Sequence, residues 1–241
     1  MTQNELRLRT LAQKNSLAIT DIQLQKLTEY AEQLKDWNQR INLISRRDEE
    51  NFWTNHLLVS VAVLFKVHLP DGIRVLDLGS GGGLPGIPLS ILLPGVQFVL
   101  LDSIEKKVRA LRSMIEGLGL SNASAVCSRA EDLNRRAPYA HGFDAVIARG
   151  VTSLDKLAQW GGPFLKRPTD HRETGSSPGG SARLSLPAIL AIKGGDLQEE
   201  VKKTQRLFPN AEIRTIDLVF NGSETLGDSG KRILIVENLE R

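Results

Sequence analysis

The residues best equipped for chemistry lie in one stretch, VLDLGSGGGLPGIPLSI at 75–91. An apolar run ends in Asp77, four glycines follow within five residues, and a second apolar run carries two prolines. Glycines at such a point let the backbone approach a ligand closely or take positive φ. Nucleotide phosphates, dinucleotides and S-adenosylmethionine are all held by loops of roughly this kind. A P-loop is excluded, because there is no Gly-Lys-Ser/Thr and no lysine between Lys66 and Lys106. Gly81-x-Gly83-x-x-Gly86 satisfies the dinucleotide fingerprint as a bare pattern, but register and charge oppose that reading. Counting from the strand end gives Asp77-x-Gly79-x-Gly81-x-Gly83, with Leu84 in the place of the third fingerprint glycine. A carboxylate at Asp77 would repel a pyrophosphate. The ammonium and sulfonium of S-adenosylmethionine would instead be attracted to it.

On this reading Asp77, Gly79, Ser80 and Gly81 form one side of a methyl-donor site. Asp102 ends the next apolar run, where a carboxylate accepts hydrogen bonds from ribose hydroxyls. That ribose is common to both cofactors, so Asp102 does not choose between them. Cys127-Ser128 end the third run, and Ala130 and Glu131 come next, where an adenine ring would lie.

These residues need a scaffold that brings the ends of several apolar runs to one edge. The runs IRVLDL (73–78), VQFVLLD (96–102), NASAVCS (122–128), FDAVIAR (143–149) and PAILAIK (187–193) are short and partly β-branched, as expected of strands buried on both faces. Helical segments are predicted between them at 84–93, 104–118, 153–165 and 196–207. This βα alternation predicts an α/β fold with a doubly wound, mostly parallel sheet. Two further runs, 211–220 and 231–238, are too close for a helix between them, so a hairpin-like pair should complete seven strands. Residues 1–70 read as an N-terminal helical extension and 71–241 as the methyltransferase-like domain. In the extension, Thr20 and Gln23 have the form of a capping box, followed by Leu24, Leu27, Ala31 and Leu34 at helical spacing. A second helix is predicted over 50–67, with Trp53, Leu57, Val61 and Leu64 in its stripe and a polar connector, 37–48, before it. Residues 167–185, rich in Gly, Ser, Pro and charge, read as a flexible surface insertion.

The bulk properties fit a globular chain. Of 241 residues, 41% are hydrophobic and 24% charged, and the net charge of +3 mildly favours a polyanionic partner. A single cysteine, Cys127, excludes an internal disulfide framework and a cysteine metal cluster. The N-terminus is polar, and no apolar stretch approaches the ~20 residues of a membrane span. A cytoplasmic protein without a membrane or a metal is expected, as a monomer.

The acceptor is narrowed by the residues that end the fourth run and come after it, Ala148-Arg149-Gly150-Val151. Enzymes that methylate exocyclic amines of bases commonly carry Asn/Asp-Pro-Pro-aromatic there. Cytosine-C5 chemistry needs a nucleophilic cysteine, usually beside a proline; Cys127 has no such neighbour and reads as a buried structural thiol.

At this point INLISRRDEENFWTNHLLVS, VLDLGSGGGLPGIPLSI, LLDSIEKKVRAL, CSRAEDL, FDAVIARGVTSL and AIKGG, in this order, closely resemble the glucose-inhibited division protein B family. Its members are bacterial small-subunit rRNA guanine-N7 methyltransferases, methyltransferase G. The resemblance runs from about residue 17 onward, and 167–185 departs from it. It implies the class I S-adenosylmethionine-dependent methyltransferase (Rossmann-like) fold and 16S rRNA or the small ribosomal subunit as partner. The family's target, guanine 527 of the decoding-region loop, would be attacked in line without a covalent intermediate. It also implies that Gly79, Leu84, Asp102, Ser103, Ile104, Ala130, Glu131 and Arg149 line the donor site. Arg149 could pair with the donor's carboxylate, face the base, or form a structural ion pair. Lys193, at the end of the fifth run, could meet phosphate or guanine O6. His56 reads as a packing residue or, by the resemblance, as a substrate-side group. Asn42 and Arg46 in the connector could contact RNA. Lys106, Arg109 and Arg112 share a helix face that reads as a phosphate stripe or as an ordinary solvated face. Outside the enzyme reading stand methylation of a small molecule or protein, a noncatalytic donor-sensing RNA-binding module and, more distantly, a dehydrogenase.

Overall fold

The five apolar runs and the two terminal ones all become strands of one sheet. These are β1 (Arg74–Leu78), β2 (Gln97–Asp102), β3 (Ala123–Cys127), β4 (Ala145–Arg149), β5 (Ala188–Gly194), β6 (Glu212–Asp217) and β7 (Lys231–Glu237). The computed structural model describes residues 1–167, 172–173, 182, 184–226 and 230–239. The strand order is β3-β2-β1-β4-β5-β7-β6. The first five strands are mutually parallel, and β7 runs antiparallel to both β5 and β6. The hairpin-like pair is therefore present, with β7 inserted between β5 and β6. The chain order reverses between β1 and β4, which opens a crevice at their carboxyl ends.

Alternate residues of the central strands feed two apolar cores. Val75, Phe98, Leu100, Ile147, Leu190 and Ile192 face one, and Leu76, Leu78, Leu101, Val146, Ala148 and Ala191 face the other. The first face is covered by α5 (Gly86–Leu92), α6 (Glu105–Gly117) and the N-terminal helices α1 (Gln3–Lys14) and α2 (Asp21–Arg40). The second is covered by α7 (Ala130–Leu133), α8 (Leu154–Gly161) and α9 (Gln198–Leu207).

The predicted capping box forms: Thr20 Oγ accepts from Gln23 N, and Gln23 Oε1 accepts from Thr20 N. Leu24, Leu27 and Leu34 of α2 are buried against α5 and α6, and a fully buried leucine contributes about 1.5–3 kcal/mol. Tyr30, from the same stripe, is also fully buried, and its hydroxyl donates to the carbonyl of Gly82 at 2.8 Å. The extension therefore grips the glycine loop directly. Asn38, near the end of α2, shapes the connector by accepting from the amides of Leu43 and Ile44.

The single helix predicted over 50–67 is broken. A short α3 (Arg46–Glu49) is followed by a π-helical turn, Trp53–Leu58, then α4 (Val59–Ala62) and a 3₁₀ turn, Val63–Phe65. Leu57, Val61 and Leu64 are buried as their spacing predicts. The wide turn hands the carbonyls of Asn55 and His56 to a side chain from β4. Of 167–185, the residues at 168–171, 174–181 and 183 lie outside the described ones. Arg172–Glu173 pair antiparallel with Ser185–Leu186, and Leu184 is buried. No helix among the described residues is long and apolar enough to cross a membrane.

Candidate functional site

The glycine loop consumes most of its own amide donors. Gly79 and Ser80 donate to the carbonyl of Leu101, and Gly83 and Leu84 to that of Ser80. Gly81 N donates to Asp102 Oδ2 at 3.0 Å, and Gly86 N to Asp77 Oδ2 at 2.9 Å. A pyrophosphate site works by keeping such N–H groups at the helix start for the ligand. Here the start of α5 is already capped by a carboxyl group, so the loop suits a ligand without phosphate.

Asp77 is fully buried, and its Oδ1 has no hydrogen-bond partner. Burial pushes its pKa up to about 7, against the opposing pull of the Gly86 amide. Asp77 lies beneath the loop and holds its shape from there. Gly86 is required for that, since a Cβ there would stand 2.5 Å from Asp77 Oδ2. Ser80 also turns inward, its hydroxyl donating to the carbonyl of Asp77. Gly79 takes φ +75°, and a Cβ on it would meet Val151 Cγ2 at 2.6 Å. The loop after β4 is thereby seated against the loop after β1.

The other donor-side residues fall along the same edge. Asp102 is held by Gly81 N and by Ile104 N at 2.9 Å. Each of its oxygens accepts one of these bonds and keeps a lone pair for a hydroxyl. Ser103 and Glu131 are exposed, and Ile104 is 40% exposed, high for a large apolar side chain. Leu84 and Ala130 are buried beside them. Cys127 is half-buried rather than buried, and a hydrogen bond with Glu105 raises its thiol pKa.

Arg149, at the end of β4, points to the face that carries the extension. Its guanidinium donates to the carbonyls of His56 (3.0 Å) and Asn55 (2.8 Å) and to His56 Nδ1 (2.7 Å). A guanidinium only donates, so Nδ1 must be the acceptor nitrogen and the ring proton sits on Nε2. Burial, then the Arg149 charge, lower the His56 pKa to about 4 and keep the ring neutral. Its Nε2 stands 3.7 Å from Asp48 Oδ2. The side chains of Arg149 and His56, joined only by resemblance in the sequence, thus meet through the π turn.

Lys193 is engaged within the chain. Arg149 pairs with Ile192 across the sheet, so Lys193, one residue on, faces the opposite side. There it binds Glu200 Oε2 at 2.7 Å and donates to the carbonyl of Thr152 at 2.7 Å. Glu200 also accepts from Leu154 N. Lys193 therefore anchors the loop after β4 and does not share a wall with His56.

A cavity of about 600 Å³ opens beside Arg149 and His56. One wall is the turn around Asp48, Asn55, Leu58 and Val59, and the facing wall is the Leu218–Phe220 segment after β6. Sequence reasoning missed this cavity, Tyr30 and Asp48. Tyr30 was visible as a tyrosine within an apolar stripe, a residue type whose hydroxyl needs a partner when buried. Asn42 is exposed in the connector, outside the cavity, and the side chain of Arg46 lies outside the described residues. Lys106, Arg109 and Arg112 are exposed together on α6. Arg112 is drawn aside to Glu105 and the carbonyl of Ala125. Among the described residues no group of three or more His, Cys, Asp or Glu is arranged to hold a metal ion.

A model of the family described as rRNA small subunit methyltransferase G matches residues 23–170. Ribosomal RNA small subunit methyltransferase G of Chlorobium phaeobacteroides is 38% identical over 196 residues, 81% of this chain and 78% of the relative. The protein of that name from Desulfitobacterium hafniense is 34% identical over 235 residues, 97% of this chain and 88% of the relative. A SAM dependent methyltransferase from Aquifex aeolicus superposes with a TM-score of 0.51 at 15% identity, covering 79% of this chain and 94% of that one. The last similarity is one of fold.

Proposed function

Because the chain belongs to the rRNA small subunit methyltransferase G family, we propose that it transfers the methyl group of S-adenosylmethionine to N7 of a guanine in 16S rRNA. The carrying observation is the glycine loop. Most of its amides are internally bonded, and the helix after it is capped by Asp77, which favours a phosphate-free donor. Guanine 527, the family's target, is the proposed nucleotide. N7 has a lone pair and no proton, so it attacks the sulfonium-bound carbon without a general base. The neutral, hydrogen-bonded His56 and the internally engaged Arg149 are in keeping with a site that needs no proton transfer. Catalysis then rests on proximity and orientation. In this reading Gly79, Gly81, Leu84, Asp102, Ser103, Ile104, Ala130 and Glu131 line the donor side, while Asp77, Ser80 and Lys193 hold the loops around it. Lys106 and Arg109 supply sequence-independent contacts to RNA phosphates. The bacterial cytoplasm, where ribosomes are assembled, is the proposed location.

The test is incubation with methyl-labelled donor and either unmethylated small ribosomal subunits, free 16S rRNA or ribosomal protein. Label is expected in RNA alone. Donor binding without transfer would favour a sensing module, and label in protein would redirect the assignment. Lys193→Ala sorts the two sides of the site. Loss of its charge-assisted bonds to Thr152 and Glu200 loosens the loop that carries Val151. The donor dissociation constant should rise about tenfold, within the range of one hydrogen bond to a charged group. Calorimetry that finds an unchanged donor affinity but slowed transfer would move Lys193 to the RNA side.

A further inference from the structure

The donor-side residues Gly79, Asp102 and Ile104 take no part in lining the cavity beside Arg149. That cavity sits at the carboxyl edge of the sheet, between the end of β4 and the start of β7, where Lys231 pairs with Gly194. Its volume, about 600 Å³, lies in the range of small-ligand sites. Leu58, Val59, Leu218 and Phe220 give it apolar walls suited to the two faces of a ring. Along one wall run three polar groups in a row: Arg149, then His56 at 2.7 Å, then Asp48 at 3.7 Å from the far ring nitrogen.

Asp48 is a built acceptor. Its Oδ2 receives the Ser45 hydroxyl at 2.6 Å, and its Oδ1 receives Asn55 Nδ2 at 3.3 Å. Its side chain remains 38% exposed, so lone pairs stay available on the cavity side. The Ser45 hydrogen bond, ahead of other causes, holds its pKa below the usual carboxylate value, and it is ionised at neutral pH. An ionised carboxylate only accepts. Guanine offers two adjacent donors, N1–H and the 2-amino group; adenine offers an acceptor at N1 and nothing at C2. A guanine laid along the row with those donors on Asp48 turns its N7 edge toward Arg149 and the strand end.

We propose that this cavity receives the acceptor guanine, swung out of its RNA stack, and that Asp48 is the residue that distinguishes it from adenine. The proposal rests on the guanine-methylation reading of the site. A base displaced from its helix and read on its Watson–Crick edge is a general solution for enzymes acting on nucleobases.

Val219 lines the cavity and is more than half exposed, so Val219→Trp can fill the space without opening the core. With unmethylated small subunits, kcat/KM for this variant should fall by about a hundredfold or more, the scale on which a misplaced reacting group suffers. The dissociation constant for S-adenosylmethionine should stay within about twofold of the native value, a margin under 0.5 kcal/mol. For Asp48, subunits reconstituted with inosine at the target remove only the 2-amino donor. Native protein should prefer guanine over inosine by about tenfold, the lower end of base discrimination by a good pair of hydrogen bonds. Asp48→Asn should reduce that preference to about twofold or less. Undiminished transfer by Val219→Trp, or donor affinity lost in step with transfer, overturns the pocket assignment. An unchanged preference in Asp48→Asn overturns the role of Asp48. Native protein that transfers no methyl group would instead refute the reading on which both rest.

Discussion

An Arg149→Ala protein is expected to lose about a hundredfold or more of its methyl-transfer rate and to melt roughly 6–12 °C lower. The guanidinium serves four acceptors at once: the carbonyls of Asn55 and His56, the Nδ1 of His56 and, at 3.4 Å, the Ser60 hydroxyl. Hydrogen bonds from a charged group contribute about 1.5–3 kcal/mol each. They are not additive here, and water can reach part of the vacated site, so a total near 3 kcal/mol is the reasonable expectation. At about 2–4 °C per kcal/mol for a chain of this size, the melting shift follows. The rate effect is larger because Arg149 couples the two halves of the site. It ends the strand that leads to Val151 and the glycine loop, and it fixes the turn that walls the cavity. Lysine should rescue little, since one ammonium cannot reproduce the planar fork. A second signature separates this role from simple destabilisation. Burial lowers the His56 pKa first and the Arg149 charge second. In the variant, the histidine titration followed by NMR should therefore move up from about 4 toward its ordinary value. A variant that melts normally and keeps its rate would remove Arg149 from the site.

The second large effect concerns Asp77 and has a defined sign. Its folded pKa, about 7, lies above its ordinary value of 3.8. The folded state therefore holds a proton that the unfolded state has released between those values. Stability is highest at the acid end of that window and falls as pH rises through 7. Between pH 5.5 and 8 the loss from this one group is about 2 kcal/mol. Asp77→Asn keeps the size of the side chain and cannot titrate. Its amide oxygen can accept from Gly86 N, but the amide hydrogens lack the partners that Oδ1 already lacks. The variant should be less stable than the native protein at pH 5.5. The gap should shrink or reverse at pH 8, by roughly 4–8 °C of melting temperature. Parallel melting curves across this pH range would show that Asp77 is not the buried titrating group described here.

Much of this molecule was legible before folding. Unbroken apolar runs at βα spacing specified the sheet, and the close pair 211–220 and 231–238 announced the antiparallel end. The capping box of Thr20 and Gln23 gave the start of α2. The register of Asp77 before Gly79 pointed to the right ligand class. In the folded chain the carboxyl group also acts from beneath the loop, through Gly86. Other features were hidden for physical reasons. In the break in 50–67 the carbonyls of Asn55 and His56 are met by Arg149, more than 90 residues away, a partner that no local signal reveals. FDAVIAR and PAILAIK are apolar on both faces and lack the polar alternation that would orient a strand. Hence Arg149 and Lys193 looked like neighbours at one edge, although the pleat sends them to opposite sides. Asp48 appeared as one charge in a polar connector. Its role became visible only when Ser45, Asn55 and His56 converged on it.

Methyl transfer to guanine N7 in small-subunit RNA is tested most sharply by mapping the product. Native protein, labelled S-adenosylmethionine and unmethylated small subunits are incubated, and the recovered 16S rRNA is cleaved chemically at N7-methylguanine. One new cleavage is expected, at a single guanine, carrying the label and strongly diminished with Arg149→Ala. Labelled RNA that resists N7-specific cleavage, or no label in either subunits or free 16S rRNA, would contradict the assignment.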